Sequence, residues 1–320
     1  MRWLVRLWFV IGLATVGAVS TVGAQEGATH QLGANAPVLG PHRFSPISTL
    51  KHPFMKTFVR STLGVGQAND VDLGTVIVGN DTLVDFEGDL LFLQLQFEYQ
   101  GAVKDWLAAR VEIDVLGRLG TDVEALVADG VRASLGYEFG WLLRLFHSDR
   151  VLLSGDLFLT NHTFTTVDLQ GFVDDILAGD PAALVRSSPS VRGGGGLRLG
   201  WGVSRLFGLT AVTELAYGES LLQGQANQWT FGAGVTADFD LNAVTPVPLG
   251  IAFGGRVDRY PRIGDNTDNA LISTALTIAY NGHRDFLIGI ESRVERFRLI
   301  RDSPSTVFGK SIALTTQYFF

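Results

Sequence analysis

LLFLQLQFEYQ, residues 90–100, alternates side chain by side chain. Leu91, Leu93, Leu95, Phe97 and Tyr99 share one face, and Gln94, Gln96, Glu98 and Gln100 share the other. A period of two is the signature of a β-strand with two unlike faces. The next segment repeats it. In WLAARVEIDVLGR (106–118), Leu107, Ala109, Val111, Ile113 and Val115 oppose Arg110, Glu112 and Asp114. A face this charged cannot lie in a dry sandwich core, because unpaired charge is costly to remove from water.

Working outward in both directions, about twelve such segments appear. They lie near 54–66, 90–100, 105–118, 131–145, 150–161, 190–204, 208–218, 228–240, 249–260, 271–281, 285–296 and 307–320. Each is long enough to cross a bilayer core at a tilt, which takes about 9–11 residues. The links alternate. Short ones fall at 101–104, 147–149, around 205–207 and at 281–284. Longer polar ones fall at 67–89, 119–130, 162–189, 219–227, 261–270 and 297–306. Short turns at one end and long loops at the other predict an all-β, antiparallel up-and-down barrel that crosses a membrane. The aromatics support this. Tyr99, Trp141, Trp201, Phe239, Tyr280 and Tyr318 collect near the short-turn end, and Tyr217, Trp229 and Tyr260 near the other. Two aromatic girdles are what two membrane–water interfaces select.

Composition agrees. Hydrophobic residues make up 46% of the 320 residues, and mean hydropathy is +0.23. The one long apolar run is N-terminal. Arg2 and Arg6 precede an apolar stretch from Leu7 to about Val19, and Val22-Gly23-Ala24 precede Gln25. This predicts a signal peptide over 1–24. There is no Cys, so an exported chain here cannot lean on disulfides. The formal net charge is -7, without a Lys/Arg-rich run, which argues against nucleic acid as a partner. Residues 25–52 show no period and carry Pro37, Pro41 and Pro46. They read as a periplasmic extension or as a plug, with the barrel spanning 53–320.

The chain ends SIALTTQYFF, residues 311–320, with Ile312, Leu314, Tyr318 and Phe320 on one parity. This aromatic last strand resembles the C-terminal signature of Gram-negative outer-membrane β-barrel proteins. The resemblance implies an outer-membrane location, contact with its lipids, and a terminal strand, with Tyr318 and Phe320, that the barrel-assembly machinery reads. It marks the class and no particular family.

The inward parity collects charge of both signs: Arg60, Arg110, Arg132, Arg192, Arg198, Arg256 and Arg293, with Glu98, Glu112, Asp114, Glu138, Asp156, Glu214, Asp238 and Glu291. Such a lumen predicts either a water-filled path for a small solute or a set of pairs that fills the barrel. Gly194, Gly196, Gly200, Gly202, Gly232, Gly234, Gly250 and Gly254 share that parity and would leave room on one wall. The near balance of signs predicts weak charge selectivity. In the longest loop, Leu169, Phe172, Val173, Ile176 and Leu177 follow helical spacing and predict a short amphipathic helix ending near Gly179. Folded inward, Phe172 and Ile176 would narrow the mouth.

The leading expectation is thus a channel or transporter for small solutes. A lipid hydrolase and a closed structural or adhesive barrel stand as alternatives. For a hydrolase, His162 is the weak candidate base, since it alone of the histidines sits at an outer strand end. No HExxH and no nucleotide-binding loop is present, so neither metal nor cofactor is expected.

Overall fold

The computed structural model describes residues 37–45, 48–78, 81–119, 130–167, 169–219, 226–259, 270–297 and 307–320. A small hairpin comes first: β1 (Val38–Leu39) and β2 (His42–Arg43), turning at Gly40 with φ +56°. Twelve long strands follow: β3 (Phe58–Val78), β4 (Asp81–Lys104), β5 (Leu107–Leu119), β6 (Gly130–His147), β7 (Val151–Val167), β8 (Val185–Gly202), β9 (Phe207–Gly218), β10 (Gln228–Asp240), β11 (Leu249–Arg259), β12 (Ala270–Tyr280), β13 (Phe286–Phe297) and β14 (Val307–Phe319). Each pairs antiparallel with its neighbours in sequence, and β14 returns to β3, so the sheet is a closed barrel. Closure removes the free edges that an open sheet would present.

The seam is well tied. Leu314 faces Leu63, and Thr62 Oγ1 lies 3.0 Å from Thr315 Oγ1 inside the barrel. The Phe320 N–H donates to the Thr57 carbonyl at 3.0 Å. The terminal residue therefore belongs to the ladder that closes the ring.

Alternation sorts the two faces as the sequence demands. Ala313, Thr315 and Gln317 point inward and are buried, while Ile312, Leu314, Tyr318 and Phe320 point outward. Leu63 is 46% exposed, Ile290 55% and Leu314 45%, and similar apolar side chains continue round the barrel. An uncovered apolar belt of this extent is a lipid-facing surface. Tyr217 and Trp229 stack at the long-loop end with ring centroids 5.0 Å apart. Tyr99, Trp141, Trp201, Phe239, Tyr280 and Tyr318 are exposed near the short-turn end. Tyr260 lies outside the described residues.

Two expected loops differ. Residues 67–89 were expected to form one long polar connection; β3 and β4 instead continue as a hairpin up to Val78 and Asp81, with register shifts beyond Ala68. The backbone pairing there sets Thr75 opposite Asp85 and Val76 opposite Val84. The loop expected over 162–189 is shorter, because β7 runs to Val167 and β8 starts at Val185. The short link expected at 101–104 is strand as well, and the turn falls at Asp105-Trp106.

The helix expected there is present as α1 (Leu169–Ala178). It ends in a Schellman motif. Gly179 has φ +78°, the Asp180 N–H reaches Asp175 O at 2.9 Å, and the Gly179 N–H reaches Ile176 O at 3.2 Å. α1 comes into contact with β3, which is four strands round the ring from β7. Phe172 is half-buried, whereas Ile176 and Leu177 are exposed.

Candidate functional site: the charged interior and residues 37–57

One register row sets the electrostatics. Arg60 on β3 faces Glu98 on β4, Glu98 faces Glu112 on β5, and Glu112 faces Glu138 on β6. Three adjacent carboxylates would repel one another unless cations intervene. Arg60 pairs with Glu98 at one end, and Arg110 pairs with Glu138 at the other. Between them, Gln96 Nε2 donates to Glu112 at 2.7 Å.

The remaining inward charges pair in the same way. Arg198 pairs with Asp156, and both are almost wholly buried. Arg256 reaches Glu214 at 2.6 Å and Asp258 at 2.8 Å, and Arg293 reaches Glu291 at 2.8 Å. Arg192 donates to the Glu219 carbonyl at 3.1 Å. Arg132 lies on β6, and its side chain is outside the described set. Charges taken out of water survive only with partners of this quality.

The interior also holds residues 37–45 and 48–57, which reach inward-facing groups on widely separated strands. His42 Nε2 lies 3.0 Å from Asp238 Oδ1, and the Ser45 N–H donates to the other Asp238 oxygen at 2.7 Å. The Ser48 N–H and Oγ both donate to Glu291 at 2.7 Å. Lys51 Nζ donates to both oxygens of Glu138 at 2.6 Å and lies 3.7 Å from Glu214. On the β4 and β7 walls, Gln100 Nε2 donates to the Phe54 carbonyl at 2.7 Å, and Ser154 Oγ donates to the Pro53 carbonyl at 2.7 Å. Apolar contacts fill the gaps. Leu39, Phe44 and Phe54 cluster with Leu152, and Leu50 packs on Val212 and Ala252.

This environment moves the segment's own ionisable groups. Burial pushes His52 down to about 3. Burial and the Arg110 charge both pull Lys51 down, but Glu138 and Glu214 outweigh them and hold its ammonium above its ordinary range.

The glycines have a different role from the open space expected of them. A Cβ at Gly208 would collide with the His42 ring, one at Gly234 with Leu50, and one at Gly250 with the Ser45 hydroxyl. At Gly200 it would come within 3.0 Å of both Leu39 and Pro53. The missing side chains on β8 to β11 form the trough in which the segment lies. A cavity of about 20 Å³ remains between the two, lined by Phe44, Leu50, Thr236 and Asp238 among others.

His162 sits above this region. Its Nδ1 lies 4.0 Å from Asp114 Oδ2, and Gly136 between them leaves the room they need. Ser190 stands opposite His162 on β8, but its hydroxyl is buried and donates to the Glu219 carbonyl at 2.9 Å. A nucleophile whose proton already goes to a backbone carbonyl is not poised against a base. Among the described residues, no three His, Asp or Glu side chains converge as a metal site would require.

The residues missing from the sequence reading are those of the segment, His42, Ser45, Ser48 and Lys51. A signal was present. Residues 37–57 contain Arg43, Lys51 and Lys56 and no Asp or Glu.

A closed antiparallel barrel of twelve strands with a lipid-facing belt and a polar interior is the architecture of the outer-membrane β-barrel class. No protein-family model matches the chain, and no curated protein matches it in sequence. Solved structures similar to it are barrels of this kind. An outer membrane channel from Pseudomonas putida F1 is 12% identical, with 86% of this chain and 99% of that chain covered and a TM-score of 0.48. The NanC porin is 9% identical, with 80% and 98% covered and a TM-score of 0.47. The translocator domain of the autotransporter NalP from Neisseria meningitidis is 11% identical, with 84% and 90% covered and a TM-score of 0.47.

Proposed function

We propose that the protein is a solute channel of the Gram-negative outer membrane, exported by a signal peptide over residues 1–24 and closed at rest by residues 37–45 and 48–54. One observation carries this reading. The inner half of the lumen is filled by a separate stretch of chain attached through hydrogen bonds and ion pairs, rather than by the wall alone. A barrel built to be permanently solid fills itself with side chains of its own strands. Here the wall is cut back by glycines where the segment lies, and in this reading water and ions take its place when it leaves. The paired charges from Arg60 to Arg293 then line the path, and α1 stands over its outer mouth. In this reading the last strand, with Tyr318 and Phe320, is what the assembly machinery recognises.

The test is conductance in planar bilayers. The intact protein should be mostly silent, with discrete openings under voltage. A full-length form in which the segment is dislodged should conduct steadily. Silence of that dislodged form at every voltage and salt would refute the channel.

A further inference from the structure

We propose that the wall beneath residues 37–54 is a binding site for slender aliphatic amines, and that the segment occupies it as a tethered competitor. This deepens the channel reading by naming the class of solute. Every charged side chain between residues 37 and 57 is positive. Its donors land on carboxylates from four separate strands: Glu138, Glu214, Asp238 and Glu291. An anionic occupant, or one without N–H or O–H groups, would leave these acceptors without donors, at a cost for each buried group. Four guanidiniums also face the segment: Arg198 at the His52 carbonyl, Arg293 at Ser48 Oγ, and Arg60 and Arg110 beside His52. Each is already engaged, with Asp156, Glu291, Glu98 and Glu138 respectively.

The wall has acceptor capacity to spare. Asp156 Oδ1 and Glu214 Oε1 accept no hydrogen bond, though both residues are more than nine-tenths buried; Lys51 Nζ stands 3.7 Å from the latter, and N–H groups of Arg60, Arg110 and Arg198 are unpartnered as well. The shape is specific too. Lys51 Nζ lies on the Glu138 carboxylate and 5.2 Å from the centre of the Phe158 ring. A carboxylate with an aromatic face beside it is an ammonium pocket. Next to it runs the glycine trough, floored by Val212 and Ala252 where Leu50 now packs. An ammonium on a narrow aliphatic body fits both parts.

The experiment uses the full chain carrying Leu50→Ser and Lys51→Ser, which remove two anchors of the segment and leave every residue of the wall unaltered. The probes are 1,5-diaminopentane and glutarate, which match in length and differ in sign. Calorimetry in detergent should show saturable diamine binding, no glutarate binding, and about tenfold weaker diamine binding after Glu138→Gln. Equal binding of both probes, or of neither, would overturn the proposal. Conductance of the same variant is scored separately, so a silent barrel that binds the diamine counts against the channel and not against the site. Should that double variant not fold, Leu50→Cys in the otherwise unaltered chain replaces it. The diamine should then accelerate thiol labelling several-fold over glutarate, and equal rates would overturn the idea.

Discussion

Lys51 Nζ sits 2.6 Å from each carboxylate oxygen of Glu138, joining a segment that precedes the barrel to the middle of its wall. The contact is symmetric, charge-assisted and mostly out of water, with side-chain exposures of 16% and 14%. Bonds of this type count for about 1.5–3 kcal/mol.

Lys51→Met should therefore weaken docking by about 2 kcal/mol and raise the released population about 30-fold. Arg110 still neutralises Glu138, so the barrel itself should keep its melting temperature. Thiol labelling in a Leu50→Cys background reads the release, and an unchanged labelling rate would show that the contact is idle.

Acid should loosen the same segment through His52. Its docked pKa, about 3, lies below the ordinary value of 6.5. A depressed pKa means that docking is fully supported above 6.5 and loses support as pH falls toward 3. The loss is about tenfold per pH unit in that window. Arg60, Arg198 and Arg110 face the ring and oppose its charging, while Glu98 favours it. Hydrogen exchange of residues 37–57, corrected for intrinsic rates, should rise accordingly. His52→Gln should flatten that slope and so tie it to this ring.

On the outer face, Leu314→Arg should destabilise the folded barrel in lipid vesicles by about 2–4 kcal/mol, the penalty for a guanidinium near the bilayer midplane. Leu314 lies between Leu63 and Ile290, both exposed. Denaturant titration in vesicles measures it. Little change in the midpoint would mean that hydrocarbon does not bathe this face.

Phe320→Ala keeps the backbone bond to Thr57 and loses only the edge-on contact with Tyr318, whose ring centroid is 4.9 Å away. Equilibrium stability should fall by no more than about 1.5 kcal/mol. If the last residue serves recognition, insertion in cells should fall far more than stability does. Parallel losses in pulse-chase and melting experiments would count against that role.

The strands were legible because lipid on one side and charge on the other write a two-residue period into each of them. Leu91 to Gln100 shows it without any structural knowledge. The helix at Leu169–Ala178 was legible for the corresponding reason, a helical period closed by Gly179. The outer extensions of β3 and β4 were not, because above the membrane no solvent contrast marks the two faces. The docking of residues 37–57 was hidden for a different reason. It depends on which distant strands bring Glu138, Asp238 and Glu291 around one short stretch, and no local pattern encodes that. The glycines on β8 to β11 were visible but ambiguous, since an absent side chain leaves no mark of what fills its place.

Trp229 and Phe239 bracket the apolar part of β10 and are ten residues apart. At about 3.3 Å per residue and a tilt near 40°, they stand roughly 25 Å apart along the membrane normal. The protein thus carries its own depth gauge. An average bilayer, with a hydrocarbon layer of about 30 Å, would have to pinch inward around it, whereas a thinner one would take it without distortion.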